Sequence, residues 1–182
     1  MGVKKNVQNL LLVSGTGRNS GKTTFACEVI KNLSRERSVY TLKISPHFHR
    51  LSEKQELISE SINYKIYREY DRNLSKDSSR MLAAGATASY FIQCDDRHLT
   101  ETVQLVLTFI PEGCPIVCES GSVSTYFKPG LHLLIENKNR EESKKSCIEN
   151  GQLADRVIRF DGTNFNLIID QVSFDGKTWN LD

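Results

Sequence analysis

An α/β three-layer sandwich, with a mostly parallel sheet and helices on both faces, is the fold class this sequence predicts. Three observations predict it. Short apolar runs alternate with stretches of helical periodicity along the 182 residues. The first apolar run leads through a glycine-rich turn into the first helical stretch. No linker, internal repeat or low-complexity tract divides the chain, so a single domain over residues 1–182 is expected.

The elements follow in order. Leu10–Val13 is an apolar run closed by a glycine-rich turn, which predicts a buried strand. Phe25, Ala26, Val29, Ile30 and Leu33 recur at helical spacing and predict a helix over Thr23–Leu33. Val39–Ile44 reads as a second strand stopped by Pro46. Leu51–Ser61 is polar and ambiguous, whereas Ile62, Tyr64 and Ile66 alternate as in a half-exposed strand. Ser78–Ala84 predicts a helix closed by Gly85, and Ala88–Cys94 a strand. Leu99, Val103, Val106, Leu107 and Ile110 share one helical face, which Pro111 ends. Ile116–Glu119, Leu131–Ile135 and Val157–Phe160 are further strands, with a solvated helix over Glu141–Asn150. Asp161-Gly162 and Asp175-Gly176 are turn dipeptides of small hairpins.

Composition narrows the function. The apolar share of 38% and charged share of 25% are those of a globular protein. A net charge of +2 argues against a nucleic-acid or membrane partner. The first apolar run is too short for a signal peptide or a membrane span. Cys27, Cys94, Cys114, Cys118 and Cys147 form no Cys-x-x-Cys pair, so they read as reduced, mostly buried thiols of a cytoplasmic protein.

The turn reads Gly15-Thr16-Gly17-Arg18-Asn19-Ser20-Gly21-Lys22-Thr23-Thr24, between a predicted strand and a predicted helix. That is the setting of a P-loop (Walker A), and it predicts the P-loop nucleoside triphosphate hydrolase fold. Glycines let successive N–H groups point into one hollow, and the helix start adds its positive end. Lys22 supplies a mobile charge for the β- and γ-phosphates, and Thr23 a hydroxyl for Mg²⁺. Gly17, Arg18, Asn19, Ser20, Gly21, Lys22, Thr23 and Thr24 are therefore the expected contacts to GTP or ATP. The spacing departs from the usual one: with four residues between it and Gly21-Lys22 stands Thr16, and Gly15 leaves a gap of five. The loop is either one residue longer or turns first at Thr16.

In a doubly wound sheet the ligand lies beyond the carboxyl ends of the strands. Lys43 ends the second strand as a candidate second cation. Glu119 ends Ile116–Cys118, placed to hold Mg²⁺ through a water. Asn137-Lys138 resembles the start of the Asn-Lys-x-Asp element that reads guanine, but Arg140 occupies the Asp position, leaving GTP against ATP open. His47 and His49 alternate within Pro46–Arg50 as loop histidines or as metal ligands. Asp77 or Ser78 reads as a helix cap, with Lys76 and Arg80 as cations for an anionic ligand.

These residues carry a resemblance. The chain resembles the molybdopterin-guanine dinucleotide biosynthesis adaptor proteins of the MobB type. It does so through Gly15–Thr24, Lys43 with His47 and His49, Lys76-Asp77-Ser78 with Arg80, Ala84-Gly85-Ala86, and Glu119-Ser120-Gly121 before Phe127-Lys128. The longer loop and the Lys after the second strand are similar to dethiobiotin synthetase. The resemblance implies a GTP-binding, slowly hydrolysing accessory protein, often a homodimer, that assists the enzyme attaching GMP to molybdopterin. Lys22 and Lys43 would take the catalytic positions, and Thr23 and Glu119 the metal side. The other readings are an ATP-dependent synthetase with its substrate near Pro46–Tyr70, a small-molecule kinase with Arg68 or Arg72 in a lid, and a partner-binding domain that has lost its nucleotide.

Overall fold

The structure is a computed structural model that describes residues 3–17, 19–48, 54–73, 76–137 and 151–182. Strand β1 (Lys5–Gly15) carries the run Leu10–Val13. Leu10 and Leu12 point to one face of the sheet and Leu11 and Val13 to the other, all buried, which is why the run is continuous and not alternating. Helix α1 (Lys22–Leu33) lays Phe25, Ala26, Val29 and Ile30 on the Leu11–Val13 face. Each larger side chain of that stripe stabilises the fold by roughly 2 kcal/mol. The chain then forms β2 (Tyr40–Ser45), β3 (Gln55–Glu60), β4 (Tyr64–Glu69), α2 (Asp77–Ala83) and β5 (Ala88–Cys94). After these come α3 (Leu99–Leu107), β6 (Ile116–Glu119), the single turn α4 (Val123–Tyr126), β7 (Phe127–Asn137) and β8 (Arg156–Phe160). The chain ends with β9 (Val172–Phe174) and β10 (Trp179–Leu181).

Eight strands make one sheet in the order β3-β4-β5-β2-β6-β1-β7-β8. From β5 to β8 all neighbours are parallel. The hairpin β3–β4 adds antiparallel strands at the β5 edge. Core residues of α1 lie on one face with Met81 of α2 and the β9–β10 hairpin, and those of α3 and α4 lie on the other. The predicted three layers and mostly parallel sheet are therefore present. Strand order turns at β1, with β6, β2 and β5 to one side and β7 and β8 to the other. Such a switch opens a crevice at the carboxyl ends of the strands.

The structure departs from the sequence reading at several elements. The ambiguous polar stretch contains β3, an edge strand whose outer side faces water, with its pairing to β4 shifted between Leu57 and Ser59. Ile62, expected in a strand, sits in the turn between them and is 95% exposed. α3 ends at Leu107, because Thr108, Phe109 and Ile110 bond three residues back and tighten the chain before Pro111. Asp161-Gly162 makes a turn with one bridge, Phe160 to Phe165, in place of a hairpin. The expected helix over Glu141–Asn150 lies outside the described residues. Cys94 and Cys118 are buried, Cys27 and Cys114 half-buried, and all four are free thiols. No helix among the described residues is long and apolar enough to cross a membrane.

Candidate functional site

The turn after β1 closes on itself. Thr16 N–H donates to Ile135 O at 3.1 Å, which holds the turn's entry against β7. Asn19 takes φ 55° and Gly21 φ 96°, two left-handed residues that swing the backbone into the start of α1. Phe25 N–H to Gly21 O at 2.9 Å is the first helical bond, so the amides of the first turn have no acceptor inside the helix. Lys22 curls back over the loop, where its Nζ donates to Gly17 O at 2.5 Å and to Ser20 Oγ at 3.1 Å. Its stem crosses Gly15, where a Cβ would stand 2.7 Å from Lys22 Cγ. That contact explains the glycine at position 15, one residue earlier than the usual spacing. At Gly21 the φ and the Phe160 ring, 2.7 Å from where a Cβ would sit, both require glycine.

Register brings the other strand ends abreast of the turn. On β2, Leu42 and Ile44 face α3, so Lys43 faces α1. On β6, Cys118 faces α3, so Glu119 also faces α1. Lys43 pairs directly with Glu119, and Val13 pairs with Glu119 on its other side. Glu119 is 1% exposed. Its Oε2 accepts from Thr23 Oγ1 at 2.7 Å and its Oε1 from Lys43 Nζ. Lys43 also bridges to Asp77 Oδ2 at 2.7 Å, and Asp77 lies within hydrogen-bonding reach of Thr23. Burial pulls the Lys43 pKa down, but the Glu119 and Asp77 carboxylates more than offset it and raise it above the ordinary value. Burial raises the Asp77 carboxyl, yet Lys43, Thr23 and Arg80 together bring it below the usual range. Arg80 Nη2 donates to Thr24 Oγ1 at 3.1 Å, joining α2 to the start of α1.

On the opposite flank, Asn137 and Phe160 pair across β7 and β8. Asn137 Nδ2 donates to Asn19 O at 3.2 Å. Phe160 stacks on Phe165 with centroids 4.6 Å apart, and Phe165 meets Phe25 edge-on at 5.1 Å. Together the two flanks and the turn wall a cavity of about 770 Å³. Gly17, Asn19, Ser20, Gly21, Lys22, Thr23, Thr24, Lys43 and Glu119 line it. Asn137 sits behind Asn19, and Arg18 lies outside the described residues.

Three expectations change. Lys43, the candidate second cation, reaches the cavity already bound by two carboxylates, which it neutralises. Lys76 turns away from the cavity and donates through Nζ to Gln55 Oε1 at 3.1 Å. Asp77 is not the cap of its helix: Lys76 stands at that position, while Asp77, the first helical residue, turns into the site. An acid at a helix start is so often a cap that the spacing concealed its role. Lys43, Asp77 and Thr23 meet only because β2 and α2 converge. His47 lines the cavity and His49 lies outside the described residues. Among the described residues no cluster of three or more His, Cys, Asp or Glu side chains forms that could hold a metal. Arg68 lies over the Tyr70 ring at 5.4 Å and Arg72 donates to Leu82 O, so neither reaches the cavity.

Fold and site together define an α/β protein whose glycine-rich turn opens into a charged crevice at the carboxyl ends of parallel strands. No family model, curated protein or solved structure matches the chain.

Proposed function

We propose that the protein has the P-loop nucleoside triphosphate hydrolase fold and binds GTP, with Mg²⁺, in this cavity. It would act as a slowly hydrolysing accessory protein of molybdopterin-guanine dinucleotide synthesis, with the enzyme of that step as partner. One observation carries the nucleotide reading: the Lys22 ammonium folds inside its own turn onto a loop carbonyl, beside a threonine hydroxyl held by a buried carboxylate. An anion in the hollow would take over that ammonium and the amides of the first helical turn. The pathway rests on the resemblance alone.

The metal side fits its residues. Thr23 Oγ1 has one proton and faces two carboxylates, Glu119 and Asp77. Two carboxylates and a hydroxyl leave room for waters and phosphate oxygens, as Mg²⁺ demands. Bound there, it would neutralise charge building on the terminal phosphate. The chain's own part is positional. Lys22 would shift from Gly17 O to the phosphates, and Lys43 would hold the carboxylate pair in place. Polarity follows, with the terminal phosphate toward Glu119 and the nucleoside toward Phe160.

A second reading, an ATP-dependent synthetase or phosphotransferase, has one observation in its favour. The cavity extends past the turn to Ser45, Pro46, His47, Asp77 and Arg80, space for another substrate. Calorimetry with GTP and ATP, with and without Mg²⁺, separates the readings when paired with a turnover assay. Tight GTP binding with slow turnover supports the accessory protein, and fast turnover of ATP supports the synthetase. Binding of neither nucleotide overturns both.

A further inference from the structure

The carboxylate-bearing helix α2 is tethered to the edge hairpin through a second buried acid. Glu69, the last residue of β4, is 1% exposed. Its Oε2 accepts from Ser78 Oγ at 2.8 Å and from Gln55 Nε2 at 2.7 Å, and its Oε1 accepts from Asp71 N–H at 2.9 Å. Among the described residues it forms no ion pair, so three neutral donors satisfy it. Burying a carboxylate is unfavourable unless several donors converge on it, and here they arrive from three segments: β3, the chain after β4, and α2. Ser78 adjoins Asp77, the residue that meets Lys43 and lies beside Thr23. Six residues past Glu69's own donor Asp71 the chain reaches α2, and Arg72 within that stretch donates to Leu82 O near the helix's other end. The hairpin and the segment that leaves it thus hold α2 at both ends, and at the first turn the hairpin does so one residue from the cavity.

We propose that Glu69 is a positioning residue. Through Ser78 it fixes the first turn of α2, so the placement of the β3–β4 hairpin sets where Asp77 stands against Thr23 and Glu119. This rests on the nucleotide reading above for its functional consequence, since Asp77 matters to the metal side of that site. Glu69 touches neither phosphate nor metal. Its influence falls on the Mg²⁺-dependent part of triphosphate binding and spares the part supplied by Lys22 and the turn.

The test compares wild type, Glu69→Gln and Ser78→Ala by calorimetry with GTP, with excess Mg²⁺ and with EDTA. Ser78→Ala removes only the link to α2 and leaves Glu69's other donors, so it remains informative should Glu69→Gln fold poorly. Both variants are expected to lose roughly tenfold in the gain that Mg²⁺ brings, as outer partners of metal ligands do, with EDTA affinity unchanged. An unchanged Mg²⁺ gain overturns the proposal, and so does equal weakening with and without Mg²⁺, the mark of a merely structural role. If wild type binds no nucleotide, the functional reading falls by itself. Amide exchange then decides the tether: faster exchange at 77–80 than at 22–26 in Ser78→Ala upholds it, and no difference overturns it.

Discussion

The two flanks of the glycine-rich turn are built from different chemistry. Toward β2 and β6 the strand ends carry Lys43 and Glu119, joined by Asp77, Thr23 and Arg80 in one ionic cluster that is buried at Glu119 and partly open to solvent at Asp77. Toward β7 and β8 the strand ends carry Asn137 and Phe160, an amide and an aromatic ring with Phe165 stacked behind. The Lys43–Glu119 pair is level with Val13 of β1, whereas the residue of β7 level with Val13 is Leu133, so Asn137 and Phe160 stand four residues further along the strands. The asymmetry gives the cavity a direction, ionic at one end and aromatic at the other. The difference also says what each flank can tolerate. The ionic flank depends on every partner being present, whereas the neutral flank depends on shape.

Glu119→Ala should produce the largest effect. Removing a buried partner leaves Lys43 and Thr23 with Asp77 alone, a loss of about 3 kcal/mol of folding stability. Urea unfolding reads it directly. Phe160→Leu on the other flank keeps apolar contact with Gly21 and should lose less than about 1.5 kcal/mol. Equal losses would dissolve the contrast between an ionic and a shape-dependent flank.

Next comes Lys22→Ala, which removes the ammonium between the flanks. Calorimetry should show triphosphate affinity falling by about 2 kcal/mol, the usual worth of charge-assisted hydrogen bonds, with binding of the nucleoside unchanged. Equal weakening of both ligands would mean that Lys22 does not act on the phosphates.

Gly21→Ala probes where turn and neutral flank touch. The positive φ alone disfavours alanine by roughly 1–2 kcal/mol, and the new methyl also meets the Phe160 ring. In the double variant with Phe160→Ala the steric part should vanish and the backbone part remain. Thermal unfolding of the single and double variants separates the two, and full rescue by Phe160→Ala would show that backbone strain contributes nothing.

The two flanks were not equally legible in the sequence. The turn, β1, α1 and the carboxylate at Glu119 all stand out because they depend on local order: apolar run, glycines, Lys-Thr, helical stripe. Parallel strands could be inferred from the alternation, but their order could not, and the order is what sets Lys43 beside Glu119 and Asn137 beside Phe160. Asp77 was hidden because a helix-start acid has a common local explanation. β3 was hidden because an edge strand needs no apolar outer face. Glu69 gave no signal, since nothing in a Tyr-Arg-Glu strand end shows that three donors will converge on it.

The smallest expected effect is the dependence on pH, and it belongs to the ionic flank. Asp77 is held below the usual carboxylate range. A group with a depressed folded pKa contributes stability above its unfolded value, near 3.8, and loses that contribution as pH falls through the folded value. Lys43, raised above 10.5, behaves in the opposite sense: its contribution is complete below 10.5 and is lost only as pH rises through the folded value. Between these limits the pair is intact. Asp77 is partly open to solvent, so the contribution is less than about 1 kcal/mol after screening. Urea unfolding of wild type and Asp77→Asn from pH 7 to pH 3 should therefore show a small gap that narrows only toward the acid end. Asn137→Ala, which removes no titrating group, should run parallel to wild type throughout. A constant gap for Asp77→Asn would mean that the carboxyl's charge takes no part in holding α2 against the turn.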